Sequence, residues 1–406
     1  MGDAEESTRQ RRLLLLLYLL LFIFVETSLD TGISGPMLPL YIISLGASVS
    51  AMSTAFAAMH MVSAAIRTPV GLLSDRFDSR IFLTGGVILS VVSLLLSTTS
   101  HLGEQILLAM VLSGIAAGLF YPIEERAIAE STGVEGRSRA FALMNLTWGL
   151  VGLSTPVVGG YLVENHGMRS PFMAGFIASL LGIPLSLRMK GRTREDSIRD
   201  TFIPSDNVEM REALSPVVTL GVSRFVLTTA IALPWTLTAV YLKERCGCGY
   251  LEVGYYLTIM SLGSIAATPL AARLGTPRDR RRSILLLMPL NGLLFIGLAL
   301  SRFPLQVAAL IFLMNAFGGV CATSANTLAG DIVSVRRLGF AYGVNSTALR
   351  LGISAGSFLG GYFADLLGFE SAFLIGTAVS FLAAIPTFTL GKFLPPTERS
   401  YKATST

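Results

Sequence analysis

Residues 13–42 read LLLLLYLLLFIFVETSLDTGISGPMLPLYI, and this stretch decides the fold class. An apolar run of this length spans lipid, because about 20 helical residues at ~1.5 Å each cross a hydrocarbon core of ~30 Å. Yet the run carries two carboxylates, Glu26 and Asp30. A charge near the bilayer centre costs several kcal/mol unless it faces a wet cavity or a partner, so acids placed there are functional candidates. Arg224 and Arg350 lie in similar runs further along. The pattern is that of a polytopic membrane protein with a polar interior, and the function is to be sought in that interior.

The whole composition agrees. Of 406 residues, 52% are hydrophobic and only 14% charged, with a mean hydropathy of +0.64. Soluble domains carry about 25% charged residues. Twelve apolar segments of helical length follow one another, near 13–36, 50–72, 80–99, 104–128, 139–163, 171–188, 214–243, 251–273, 283–301, 305–329, 339–366 and 371–390. A β-barrel is excluded, because barrel strands alternate polar and apolar residues and these runs do not. The opening RQRRLLLLLYLLLFIFV has the basic cluster and apolar stretch of a secretory signal, but no small-residue cleavage site follows, so it is expected to remain as the first helix.

The net charge of +5 is not a nucleic-acid signature; its placement reports topology. Basic residues gather in alternate connections: Arg9, Arg11 and Arg12; Arg76 and Arg80; Arg137 and Arg139; Arg188 through Arg211; Arg278 through Arg282; Arg336 and Arg337; Lys392, Arg399 and Lys402. The other connections hold only Arg169, Lys243, Arg245 and Arg302. The positive-inside rule then places both termini in the cytoplasm, and the expected home is the plasma membrane. Cys246 and Cys248 share an outer loop at a spacing too tight for an ordinary disulfide, and they lack the ligand count of a metal site. They and Cys321 read as incidental thiols.

The chain repeats itself at a period of about 200 residues. Tyr41 matches Tyr241, and Thr68-Pro69 matches Thr268-Pro269. One residue of drift later, Gly118 matches Gly319, Gly159-Gly160-Tyr161 matches Gly360-Gly361-Tyr362, and Gly167, Ser170, Phe172 and Gly175 match Gly368, Ser371, Phe373 and Gly376. The break falls in the longest polar stretch. The expected architecture is all-α, with twelve transmembrane helices in two pseudo-symmetric six-helix bundles. Residues 1–188 form one half, 189–212 a cytoplasmic linker and 213–406 the other half, a transporter plan.

The loop GLLSDRFDSR at 71–80 resembles the signature between the second and third helices of the major facilitator superfamily. Gly71, Asp75, Arg76 and Arg80 match; Asp78 stands where glycine is usual and Ser79 replaces a basic residue. The resemblance extends over nearly the whole chain, including GLFYPIEERAIAESTGVEGRSRAFAL at 118–143. It implies a latch on the cytoplasmic side. Gly71 lets two helices approach, Asp75 faces the N-terminus of the eleventh segment near Leu338–Phe340, and Arg76 or Arg80 pairs with an acid such as Glu130. The bland alternative is a solvated turn with topogenic arginines. In the fifth segment GLVGLSTPVVGG, Gly152, Pro156, Gly159 and Gly160 resemble the motif of the superfamily's antiporters, with Thr155 in place of a glycine. Small residues there let the fifth and eighth segments pack closely and Pro156 permits a bend; plain small-residue packing accounts for the same residues.

The first segment resembles that of the superfamily's drug-exporter branch through Asp30, Pro36 and Pro39. Glu26 and Asp30 are four residues apart and share a helix face. Glu26 lies roughly 20 Å in at ~1.5 Å per residue. Burial and a like-charged neighbour both favour protonation of one of the pair, which proton coupling requires; the alternative is a pair of cavity acids that hold water or partner an arginine. In the fourth segment, Glu124 and Glu125 point about 100° apart, so one of them faces the cavity squarely with Tyr121, and Arg126 neutralises the other. A structural ion pair near the gate is the competing reading. Arg67 is expected to snorkel at the cytoplasmic end of the second segment. Because the family's first, fourth, seventh and tenth helices line its cavity, Arg224 is expected to oppose Glu26 and Asp30, as an ion pair or as a substrate contact. Arg350 and Trp235 are the remaining cavity candidates.

No phosphate-cradling loop, metal cluster or catalytic triad appears, so the chain is not expected to be an enzyme. It needs no cofactor, and an ion gradient must supply the energy. The expected function is secondary transport by alternating access, with proton-coupled efflux of small amphipathic or drug-like molecules by a monomer. Its partners are the substrate, the proton and the lipid bilayer, with no nucleic acid. Uptake or exchange of an anionic metabolite, or a non-transporting receptor, are the alternatives.

Overall fold

The computed structural model describes residues 2–27, 32–74, 77–131, 137–189, 207–332 and 338–394. Asp30, Asp75 and Arg76 lie outside them, and so does the side chain of Glu130. All regular structure among the described residues is helical. Ten helices there are long and apolar enough to cross a membrane, and two shorter apolar helices, Leu15–Thr27 and Gly35–Ser44, belong to the first segment.

That first segment is broken rather than continuous. Helix α1 (Gly2–Thr27) is followed by a 3₁₀ turn (Gly35–Met37) and α2 (Leu38–Ser44), so the segment runs past the expected residue 36. Pro36 and Pro39 sit in the first turns of these restarts, where the missing N–H is harmless and the fixed φ suits a helix start. Next come α3 (Val49–Leu73), α4 (Ser79–Thr99), α5 (Gly103–Ser131) and α6 (Arg137–His166). The sixth segment is again two pieces, α7 (Ser170–Ser179) and α8 (Gly182–Arg188). Helices α9 (Asn207–Glu244), α10 (Tyr250–Ala272), α11 (Pro277–Leu300), α12 (Pro304–Asp331) and α13 (Leu338–Leu367) are long. The twelfth segment divides into α14 (Phe369–Leu382) and α15 (Ala384–Thr389). Both late breaks have one cause. Pro184 and Pro386 cannot bond the carbonyls of Leu180 and Leu382 four residues back, and each helix stops there. Helix α13 is not among the ten because Asn345, Arg350 and Asp365 make it more polar.

The internal repeat has a backbone counterpart. The four glycines with positive φ are Gly46, Gly167, Gly247 and Gly368, at 85°, 86°, 69° and 87°. They form two pairs 201 residues apart, 46 with 247 and 167 with 368. A left-handed turn that only glycine adopts cheaply recurs in register.

The chain divides into two compact units. The first comprises Met1–Phe202 and Leu237–Ser261, the second Ile203–Thr236 and Leu262–Thr406. In the first, Leu19, Phe22, Ile23, Leu83, Val87, Phe120 and Ile123 form the apolar centre. Helices α3 and α5 pack closely there: a Cβ at Gly118 would lie 2.8 Å from Ile66 Cγ2, and one at Gly114 would meet the Met59 carbonyl. Gly71 plays no such part, since a Cβ there would meet nothing within 4 Å among the described residues. The expected close approach at Gly71 is thus corrected to Gly114 and Gly118.

In the second unit, Leu220, Leu227, Ala230, Ile284, Met288, Cys321 and Leu328 form the centre. Gly352, Gly356 and Gly360, one turn apart on α13, lie directly on α9. A Cβ at Gly352 would stand 2.6 Å from the Phe225 carbonyl and one at Gly360 2.7 Å from that of Leu233, while Gly356 meets the carbonyl of Thr229. With little hydrophobic drive between helices in lipid, this backbone-to-backbone packing is what joins them.

Candidate functional site

Glu26 is the penultimate residue of α1 and is fully buried within the first unit. Its carboxylate rests against Gly182, the first residue of α8: a Cβ there would lie 2.7 Å from Glu26 Oε2 and 3.1 Å from Val87 Cγ1. The break that Pro184 causes, and the missing side chain of Gly182, together make room for this acid. Tyr18 fastens the same joint by donating to the Leu185 carbonyl at 2.5 Å. Glu26 is thus enclosed where α1 meets α4 and α8.

The acids of α5 take different surroundings, as their adjacency requires. Glu124 is buried and Glu125 is partly exposed. Arg67 of α3, only 13% exposed, donates to Glu125 Oε1 at 3.3 Å and lies 5.6 Å from the Tyr121 ring centroid. Tyr121 in turn meets Trp148 edge-on at 6.3 Å, and the buried indole Nε1 of Trp148 has no hydrogen-bond partner among the described residues. The expected snorkelling of Arg67 is therefore corrected. A carboxylate and an aromatic face one helix away hold its guanidinium inside the unit. Arg126 donates to Ser74 Oγ at 3.1 Å.

At the loop signature, Asp78 earns its departure from glycine by capping α4: its side chain accepts the Arg80 N–H at 2.9 Å. The Arg80 side chain is 45% exposed and stands 3.9 Å from Asp78. The ion pair expected of Arg80 and Glu130 has a described counterpart in the second unit. Arg280 Nη1 meets Asp331 Oδ2 at 2.5 Å, and Asp331 follows Glu130 by 201 residues. This pair was not singled out from sequence; the repeat register could have found it.

The glycines of α6 serve helix contact. A Cβ at Gly159 would lie 2.5 Å from the Ile33 carbonyl and one at Gly160 2.6 Å from that of Tyr250. Opposite them Gly254 meets the Pro156 carbonyl, Thr258 donates to the Leu153 carbonyl at 3.1 Å, and Gly152 faces Ser261. Glu164, not singled out from sequence, accepts the Tyr250 N–H at 2.9 Å, and Lys243 lies 4.0 Å from the Tyr250 ring. In the adjoining loop burial pushes the Cys246 thiol up and that of Cys248 up to about 11, so both stay protonated and unreactive at neutral pH.

Arg224 is 2% exposed within the second unit. Its Nη1 donates to the Ala322 carbonyl at 3.0 Å, and its buried Nε has no partner among the described residues. Arg350, on α13, is half-buried and Trp235, on α9, is exposed. The buried Asn345 of α13 donates to the exposed Asn326 of α12 at 2.9 Å, an amide pair the sequence did not signal.

Comparison with known proteins gives these placements a frame. The chain matches the model of the Major Facilitator Superfamily over residues 20–304 and 220–406. It is 27% identical over 364 residues to the multidrug resistance protein MdtG of Rahnella sp. (strain Y9602), covering 85% of each chain. It is 22% identical over 377 residues to the uncharacterized MFS-type transporter MJ1560 of Methanocaldococcus jannaschii, covering 89% of this chain and 94% of that one. Among solved structures, the nucleoside transporter NupG superposes with a TM-score of 0.76 at 12% identity, over 93% of this chain and 99% of that one. A peptide transporter, POT, in complex with sulfate does so with a TM-score of 0.75 at 15% identity, over 94% and 96%. At these identities the structures share the fold alone.

Proposed function

Because the chain belongs to the Major Facilitator Superfamily, and is thus a multi-pass membrane transporter for a small molecule rather than an enzyme, we propose that it exports amphipathic or drug-like compounds in exchange for protons, by alternating access. In this reading twelve spans form two six-helix bundles, 1–188 and 213–406, joined by a cytoplasmic linker at 189–212. The monomer sits in the plasma membrane with both termini in the cytoplasm, and the proton gradient alone drives it. Relatives named as multidrug resistance proteins over most of the chain support export.

The observation that carries the coupling is the enclosure of Glu26 at the joint of α1 with the α7–α8 break. A proton taken up there turns an ion into a neutral acid where three helices meet, and so alters the cost of holding the joint closed. Asp30 is the second proton acceptor. Tyr121, Glu124, Glu125, Arg224, Arg350 and Trp235 meet the substrate. Gly71, Asp75, Arg76, Arg80 and Glu130 form the inner gate, and Gly152, Pro156, Gly159 and Gly160 the helix contact that antiport flexes.

Inside-out vesicles with an imposed proton gradient and a panel of amphipathic compounds test this. At least one compound accumulates in wild-type vesicles, and Glu26→Gln or Asp30→Asn abolishes that accumulation. If neither substitution changes it, the coupling site is elsewhere. Arg224 favours a second reading, uptake or exchange of an anionic metabolite, which predicts accumulation in vesicles of the opposite orientation.

A further inference from the structure

We propose that Arg224 docks an anionic group of the transported molecule: a carboxylate, or an oxyanion of phosphorus or sulfur. This deepens the reading above and rests on it for the word "transported".

The guanidinium offers five donors, never loses its charge and suits oxyanions bidentately. Here one backbone carbonyl, that of Ala322, accepts from Nη1, and Nε has no acceptor among the described residues. Among the described residues no carboxylate lies within ion-pairing distance of Arg224. Held at 2% exposure with one backbone carbonyl and, among the described residues, no carboxylate to meet it, this arginine costs several kcal/mol. A leucine would fill the space without that cost, so the charge is explained by something that visits it.

The surroundings suit a ligand with a polar head. Asn326 lies one turn beyond Ala322 on the same face of α12. Its side-chain oxygen accepts from Asn345 Nδ2, while the buried Asn345 Oδ1 has no partner among the described residues. Gly318, one turn before Ala322, faces Ile231 of α9 at 3.3 Å from a would-be Cβ. Along this line α12 runs from apolar at Gly318 to polar at the exposed Asn326, with Ala322, whose carbonyl meets Arg224, between them. That gradient fits an amphipathic anion with its head at Arg224 and amides beside it. Arg224 is closed off in the conformation described, so the anion reaches it in another state of the cycle.

Binding to the purified full-length protein is measured with a panel of arylalkyl carboxylates, each paired with its primary amide. The wild type binds at least one acid more tightly than its amide by about ten- to a hundredfold, the worth of one hydrogen bond to a charged group. Arg224→Gln brings the pair to parity, and Arg224→Lys keeps part of the preference. If no acid is preferred by the wild type, or if the preference survives Arg224→Gln, the proposal is overturned. Equal loss of acid and amide binding in Arg224→Gln also overturns it, since the charge then serves the fold. Should Arg224→Gln not fold, Asn345→Ala gives a second reading: it weakens the preferred acid and spares apolar compounds. Because binding needs no gradient, acid preference without proton-driven accumulation refutes only the export reading, and the reverse refutes only the anion site.

Discussion

Glu164 of α6 caps the first turn of α10: its carboxylate accepts the Tyr250 backbone N–H at 2.9 Å, while Glu252 accepts that of Gly249 at 2.7 Å. Two of the four amides left open at a helix start are thereby satisfied, one by α10 itself and one by a helix 86 residues earlier. The contact ties the fifth segment to the eighth. Loss of a cap costs about 1 kcal/mol. Glu164→Ala should speed hydrogen exchange at the Tyr250 amide about fivefold, the factor that ~1 kcal/mol represents. Glu164→Gln, which keeps an acceptor, should change it much less. Equal exchange in all three proteins would remove the cap from the account.

Gly182 and Glu26 give a prediction independent of any charge change. An added methyl at 182 would stand 2.7 Å from the Glu26 carboxylate, closer than atoms tolerate. Gly182→Ala should therefore displace the acid and impair proton-driven transport as severely as Glu26→Gln does. Normal transport by Gly182→Ala would show that the enclosure of Glu26 is incidental.

The pair Arg67–Glu125 is open to a double-mutant cycle. With Glu125 partly in solvent, the coupling measured for Arg67→Met and Glu125→Gln should be about 1 kcal/mol or less. Arg67→Met should cost more than that coupling, because the guanidinium also rests on Tyr121. A coupling well above that range would mean the pair is more enclosed than its geometry implies.

On α13, Gly356→Leu should destabilise the protein by about 1–3 kcal/mol or prevent its folding, as overpacking does. Gly343→Leu on the same helix, where a Cβ meets nothing within 4 Å among the described residues, should be tolerated. Thermal unfolding of the two variants in detergent distinguishes them.

The thiol of Cys248 gives a pH dependence. A folded-state value raised to about 11 means the fold favours the protonated thiol. The stabilisation is complete below the unfolded value near 8.5 and is lost as pH rises from there through about 11. Maleimide labelling at Cys248 should be negligible at pH 7 and rise about tenfold per pH unit, following the thiolate. Rapid labelling at pH 7 would contradict the burial of this loop.

The apolar runs were legible because a bilayer demands them of a chain in one dimension, and the repeat because matching residues recur at a fixed offset. Where the runs break was also written, in Pro184 and Pro386, but the break appears four residues ahead of each proline and so reads as uninterrupted sequence. The direction of Glu26 was not legible: a helix rotation decides whether it meets a cavity or Gly182, 156 residues away. Pairing of Arg67 with Glu125 spans 58 residues and depends on the same kind of rotation. Arg280 with Asp331 could have been found, since Asp331 holds the repeat position of Glu130.

The contact of Arg224 with Ala322 bears on how the protein is made. The two residues are 98 apart in the chain, so α9 leaves the ribosome well before its only described acceptor for that guanidinium exists. An arginine in the middle of a lone helix raises the cost of entering the membrane by about 3 kcal/mol. The apolar span Leu214–Glu244 runs to 31 residues where about 20 cross the hydrocarbon core, so apolar turns lie on both sides of Arg224 to offset that cost. The excess length of α9 thus suits a helix that must hold its place in the lipid before the neighbours that satisfy it have been synthesised.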